Sequence, residues 1–132
     1  MDKILRINMG ADGGPKAKTE PAGSYAGMGG RALTSAVVSK EVPPTCHPLG
    51  PSNKLVIAPG WVTGTSAPSS GRISVGGKSP LTGGIKESNA GGLSGQKLAK
   101  LGLAAVIVEG EPAKGKWYLL VVTSEGVKFE DA

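Results

Sequence analysis

Few residues of this 132-residue chain could do chemistry, and most of them fail on spacing. Gly77–Lys78–Ser79 ends like a phosphate-binding loop, but that pattern needs a glycine five residues before Gly77, where the chain has Arg72. Gly71 is one residue out of register, so the loop would not close around phosphates. Gly27, Gly29 and Ala32 fit the loose dinucleotide fingerprint at the start of a helix. Yet Ala22–Ala26 before them is no buried strand, and no acid follows at the required distance of about 20 residues, so the match is chance. Cys46 and His47 are adjacent, and neighbours in an extended chain point to opposite sides. One sulfur and one imidazole also fall short of a metal-ligand set. The pair reads as surface turn residues.

Two places survive. Arg72 is the only basic residue between Lys54 and Lys78 and sits among side chains too small to shield it. Its planar fork of donors suits a phosphate or a conjugated heterocycle; a solvated strand-edge arginine is the other reading. Asn89, Ala90 and Gly91 join a residue tolerant of unusual backbone angles to glycine, which removes bulk where backbone meets a ligand. The alternative there is an ordinary turn before a helix at Leu93. Both places lie between Gly60 and Gly95, a stretch of glycine and small hydroxyl residues with almost no large side chains. Free backbone N–H groups in such turns form concave anion sites. Too poor in apolar bulk to be a core, the stretch reads as a floor of backbone under a large polar ligand.

The elements that would position these residues follow from periodicity and punctuation. Strands are expected over Lys3–Met9 and, as a short return, Lys16–Glu20. A helix is expected from Gly30 to Lys40, with Leu33, Val37 and Val38 on one face and Pro43–Pro44 ending it. Further strands are expected at Lys54–Ala58, Arg72–Val75, Ala104–Glu109, Lys116–Val122 and Val127–Glu130. A short helix, Leu93–Leu101, would offer Leu93, Leu98 and Leu101 for burial and stop at Gly102. The fold class is α+β, β-dominated, in one domain.

Composition narrows the function. Glycine and proline make 32 of 132 residues, close to the level of low-complexity disorder. The apolar, β-rich runs Lys54–Ala58, Leu103–Glu109 and Lys116–Ser124 argue for a folded domain with long ordered loops instead. The net charge of +5 comes from scattered lysines without interleaved aromatics, which argues against nucleic acid as a partner. A basic face toward a phosphate-bearing cofactor or an acidic protein remains open. A single cysteine excludes an internal disulfide and tilts toward a reducing cytoplasm. The N-terminus MDKILRIN has no apolar signal region, and no run approaches the roughly 18 apolar residues of a membrane span. The expectation is a soluble, cytoplasmic chain with no membrane association.

The string APSSGRISVGGKSPLTG from Ala67 to Gly83, followed by SNAGG from Ser88 to Gly92, resembles the N-terminal domain of the tungsten-containing aldehyde ferredoxin oxidoreductase family. The flanks GGRAL at Gly29–Leu33 and EVPPTCHPLGPSNKLVIAPG at Glu41–Gly60 agree, as does Leu98–Gly110 ending in AVIVEG. The resemblance implies antiparallel sheets forming a saddle-like floor under a tungsten or molybdenum bis-pterin. It implies that Arg72 lies between the pterin and an iron–sulfur cluster. The Asn89 backbone carbonyl would bind a magnesium ion bridging two pterin phosphates, with Ala90 beside it and Gly91 against the pterin. Lys78 and Ser79–Gly83 would shape a loop near the cofactor, and Arg31 would serve structure, a domain contact or the ligand.

By the same resemblance, the parent activity is oxidation of an aldehyde to a carboxylate, with electrons passing through a four-iron cluster to ferredoxin. Such a cluster needs cysteine thiolates, and one cysteine cannot supply four. The resemblance therefore makes the chain an incomplete N-terminal portion, either a fragment or a small subunit docking with a separate downstream catalytic polypeptide. Alone it would not turn over aldehyde. The rival is a non-catalytic scaffold for a phosphate-bearing ligand or a partner protein, and open strand edges would favour a homo-oligomer.

Overall fold

The most continuously apolar stretch of the chain, LAAVIVE, becomes the strand about which the others are ordered. A computed structural model describes Met1–Ala132 as β1 (Lys3–Asn8), β2 (Lys16–Pro21), α1 (Gly30–Glu41), β3 (Lys54–Pro59), β4 (Arg72–Lys78), β5 (Ile85–Gly91), α2 (Leu93–Lys100), β6 (Leu103–Glu109), β7 (Tyr118–Thr123) and β8 (Gly126–Asp131). Six strands form one sheet in the order β2-β1-β6-β3-β4-β5, and β7-β8 is a separate hairpin. A strand covered on both faces needs apolar residues at every position, and β6 is buried from Leu103 to Ile107. At one edge, β2 carries Lys16, Lys18 and Glu20, charges that discourage a further strand.

The expected β-dominated fold with two helices is present, but the larger sheet is mixed. β1 and β6 run parallel, while every other pairing is antiparallel. Parallel neighbours need a long crossover, and here the whole segment from β2 to α2 supplies it. The expected strand Arg72–Val75 continues to Lys78, and β5 arises where polar, glycine-flanked residues suggested a turn. Pairing with β4 along seven residues holds β5 in place of intrinsic β-propensity.

One face of the sheet receives α1. Leu33, Val37 and Val38 fall on one side of that helix and are buried against Ile4, Val56, Ala58, Ala105 and Ile107. Each such side chain contributes roughly 1.5–3 kcal/mol on burial. Thr34 sits over Gly76, where a Cβ would come within 2.7 Å of the Thr34 Cβ, so glycine sets the spacing between helix and sheet. On the other face, Leu5, Ile7, Leu103 and Val106 are covered by Leu120, Val122, Val127 and Phe129 of the hairpin and by Leu98 and Leu101. Leu93 does not join them and is 68% exposed. Gly95 faces the sheet, and Leu93 lies two residues away, about 200° around the helix. Gly102, at φ 76°, stops the helix as expected.

The C-terminal end of α1 is held by charge. Glu41, its last residue, opposes the helix dipole. The Arg6 guanidinium offsets this by donating to both Glu41 oxygens, at 2.7 and 2.8 Å. Arg6 also donates to Glu20, Lys54 bonds Glu109, and the Tyr25 hydroxyl donates to Glu41 at 2.8 Å. Arg6 above all holds the Glu41 carboxyl down to about 2, and burial, with Glu41 beside it, pushes the Tyr25 phenol up to about 12. Because the folded-state pKa of Glu41 is depressed from 4.5, its contribution is complete above that value and is lost as pH falls toward about 2. Glu41→Gln is expected to cost about 2 kcal/mol at neutral pH and to flatten the acid limb between those values. Urea midpoints measured across pH check this, and an unchanged slope in the variant would contradict it.

Candidate functional site

The register of β4 and β5 determines what their edge presents. Arg72 stands opposite Gly91, Ser74 opposite Asn89 and Gly76 opposite Glu87. Beyond the hairpin end of this ladder, the Ser79 N–H donates to the Gly84 carbonyl at 2.8 Å. Antiparallel pairs alternate between bonded and non-bonded, so Gly77/Lys86, Val75/Ser88 and Ile73/Ala90 exchange the hydrogen bonds. Glu87, Asn89 and Gly91 therefore turn their backbone N–H and C=O groups away from β4, toward the open edge of the sheet. The Arg72 carbonyl agrees with this phase, since it faces β3 and accepts from the Gly60 N–H at 3.0 Å.

The same alternation puts Arg72, Ser74, Glu87 and Asn89 on the face that carries α1. Arg72 Nη1 donates to Asn89 Oδ1 at 3.3 Å, and Asn89 Nδ2 donates to Ser74 Oγ at 3.3 Å. The guanidinium lies over Gly91, where an added Cβ would be 3.9 Å from its central carbon. Arg72 is exposed and takes part in none of the molecule's ion pairs. The nearby acid, Glu87, is engaged instead by Arg31 of α1, with Nε and Oε2 3.2 Å apart. The Ser74 hydroxyl chiefly, then Arg31 and Asn89, hold the Glu87 carboxyl below its ordinary range. Arg72 thus has no carboxylate partner within the chain, and its side chain bonds only the neutral Asn89 amide.

Two helix N-termini meet the start of β4, one on each face. α1 opens at Gly29–Gly30, with Gly30 packed near Ser74 and Gly60. α2 opens after Gly92, whose φ of 106° suits only glycine, beside the backbone of Arg72. Neither first turn holds an acidic residue or a capping side chain, so both positive dipole ends are left without a carboxylate from their own helix. Around Arg72, Ser69, Gly71, Gly91, Gly92 and Gln96 line an open cleft of about 410 Å³. Ser69 is the one non-glycine residue with positive φ, at 55°, a strained conformation on the rim of the cleft.

Of the residues singled out from sequence, Arg72, Asn89, Ala90 and Gly91 come together on this edge. Lys78 and Ser79–Gly83 do not; they lie at the far end of β4, about 20 Å along the strand. There Lys78 Nζ donates to the Pro44 and Cys46 carbonyls, both at 2.6 Å, and the Ser79 hydroxyl accepts from the N–H groups of Leu81 and Thr82. Cys46 and His47 sit in a turn, and His47 Nδ1 accepts from the Leu49 N–H. No group of three or more His, Cys, Asp or Glu side chains could hold a metal ion. No strand precedes Gly27–Gly29–Ala32 directly; a single 3-10 turn, Gly23–Tyr25, does. Ser74 and Glu87 escaped the sequence reading. The signal for Ser74 was period-two spacing from Arg72 within an expected strand; the same spacing of Glu87 from Asn89 is invisible until β5 is known to be a strand.

Fold and edge together define a β-rich α+β domain whose larger sheet ends in an exposed edge strand beside an unpaired arginine, and known proteins give that class a family. The description "Aldehyde ferredoxin oxidoreductase, N-terminal domain" matches residues 4–132. The chain is 44% identical over 105 residues to the tungsten-containing aldehyde ferredoxin oxidoreductase of Pyrococcus furiosus, covering 80% of this chain and 17% of that one. It is 38% identical over 133 residues to the protein of the same name from Thermococcus kodakarensis, covering 98% and 21%. Among solved structures, the active-site complex BamBC of benzoyl coenzyme A reductase, with 1,5-dienoyl-CoA, shares the fold at a TM-score of 0.85 and 24% identity, over 98% of this chain and 20% of that one. The chain belongs to the aldehyde ferredoxin oxidoreductase N-terminal domain family. It spans about a fifth of the length of these relatives.

The approach of α2 to β4 is testable by one methyl group. A Cβ on Gly95 would lie 2.8 Å from the Arg72 carbonyl oxygen and 2.6 Å from Ile73 Cγ2. Helix propensity alone favours alanine over glycine by about 1 kcal/mol, whereas the backbone contact costs about 1–3 kcal/mol. The contact wins because the carbonyl is fixed by its bond to Gly60. Gly95→Ala is expected to lower the urea midpoint; a raised midpoint would refute the close approach.

Proposed function

We propose that this chain forms part of the pterin-binding floor of a tungsten or molybdenum bis-pterin oxidoreductase that converts aldehydes to carboxylic acids and passes the electrons to ferredoxin. The observation that carries the reading is an exposed arginine free of carboxylate partners, next to an open strand edge and two uncapped helix N-termini. These groups suit a large, flat, phosphate-bearing ligand. Arg72 would hold the pterin. Gly91 would let the ligand approach the backbone, with Ala90 adding little bulk. The outward carbonyl of Asn89 is an oxygen donor of the kind magnesium takes, with water and phosphate completing the shell.

The tungsten pterin, when bound, supplies the two-electron chemistry, and the protein supplies binding and orientation. This chain's share is confined to that binding. An iron–sulfur cluster does not fit it, because Cys46 is its single thiol and lies by the Lys78 loop, away from Arg72. The cluster, the catalytic groups and the ferredoxin contact would belong to a downstream polypeptide or domain. Cytoplasmic location is part of the proposal, and no helix of the structure is long and apolar enough to cross a membrane.

The test is the tungsten, molybdenum and pterin content of the chain recovered from its own host together with whatever it binds. Metal and pterin are expected in the complex, accompanied by a cysteine-rich partner. Arg72→Ala is expected to lose most of that cofactor while the isolated chain keeps its unfolding free energy within about 0.5 kcal/mol of wild type. Full metal loading in the variant would defeat the role given to Arg72. A bare chain with neither metal nor partner would defeat the proposal and favour a scaffold.

A further inference from the structure

The Asn89 amide has two ways to face Arg72. With Oδ1 forward it accepts from the guanidinium; with the NH2 group forward, donor meets donor and the arginine is repelled. The groups behind Asn89 decide between them. Ser74 Oγ, in a residue only 2% exposed, lies 3.3 Å from Asn89 Nδ2. Glu87 stands next on the same face, two pairs along the ladder from Asn89. Its Oε2 is held by Arg31, while its Oε1 is shut away from solvent without a completed hydrogen bond. A buried carboxylate oxygen left in this way calls for a donor, and the Ser74 hydroxyl, diagonal to Glu87 across the ladder, is the chief one beside it, ahead of the Asn89 amide.

An ionised carboxylate only accepts. The Ser74 proton therefore turns toward Glu87, which leaves the Ser74 oxygen to accept from Asn89 Nδ2 and sends Asn89 Oδ1 to Arg72. We propose that Glu87 is a positioning residue: through Ser74 it sets the direction of the hydrogen bonds that aim Asn89 and hold the Arg72 guanidinium over Gly91. Its functional meaning rests on the reading of Arg72 as a ligand-holding group, but the hydrogen-bond order itself does not. Arg31 fastens the acid end of this relay to the first turn of α1, so the orientation of Arg72 is tied to where that helix starts. A role limited to balancing the charge of Arg31 would leave Asn89 indifferent.

The experiment compares nitrogen-15-labelled wild-type chain with Glu87→Gln, Ser74→Ala and Arg31→Ala. It follows the Asn89 side-chain amide and Arg72 Nε–H signals and titrates inorganic pyrophosphate as the anion probe. In Glu87→Gln the new amide can donate to Ser74 and reverse the relay. The Asn89 and Arg72 signals are expected to shift while the backbone signals of β1 and β6 stay, and pyrophosphate is expected to bind about tenfold more weakly. Ser74→Ala leaves every charge in place and is expected to loosen Arg72 in the same way, so it decides the matter if Glu87→Gln fails to fold. Arg31→Ala removes the ion pair but not the relay, and smaller shifts than in the other two variants are expected. Unmoved Asn89 and Arg72 signals in Ser74→Ala, or equal shifts from Arg31→Ala, would overturn the inference. Absence of pyrophosphate binding in the wild type would count against the ligand-holding reading, and the two side-chain signals would still decide the relay.

Discussion

Two close approaches of helix to strand govern this domain. α1 rests on Gly76 through Thr34, and α2 rests on the Arg72 backbone through Gly95. At both points a methyl group would already be too much. Strand β4 is therefore clamped from both faces, and the clamp brings two helix N-termini to its first residues. In most sheets glycine weakens a strand by leaving nothing to pack. Here the missing side chains are the means of packing, because helix backbone and side chains fill the space instead.

The distribution of charge follows from the same arrangement. α1 runs from the beginning of β4 to the far end of the sheet, and the carboxylates Glu20, Glu41 and Glu109 collect at its C-terminal end with Arg6 and Lys54. At the N-terminal end the one nearby acid, Glu87, faces Arg31. Arg72 is left with a neutral amide as its side-chain partner. The Arg72 charge is thereby unbalanced within the chain, and two helix dipoles end near it with their positive poles.

Sequence made the well-packed parts of this fold legible. Leu33, Val37 and Val38 announced the buried face of α1, and the apolar run of β6 announced a strand, because burial imposes periodicity or continuity on residue type. β5 was hidden for the complementary reason. It is an edge strand exposed over most of its length, so nothing selects for apolar alternation, and its conformation comes from pairing alone. Parallel pairing of β1 with β6 was hidden too, since pairing partners far apart in the chain leave no local mark. At the site, Arg72 and Asn89–Gly91 stood out by chemistry, whereas Ser74 and Glu87 look like ordinary polar residues until the register sets them beside the others.

α1 is also a strut of twelve residues, about 18 Å long, with different jobs at its two ends. One end is tied down by a lattice of ions that touches no part of the Arg72 edge. The other end carries the glycine pair and Arg31 that set the stage for Asn89. Acid tolerance can thus be tuned by rearranging the ions around Glu41, while the arrangement of Arg31, Asn89 and Arg72 at the opposite tip stays as it was. The helix therefore keeps its acid-sensitive anchor about 18 Å from the strand edge it positions, so a change at one end need not be felt at the other.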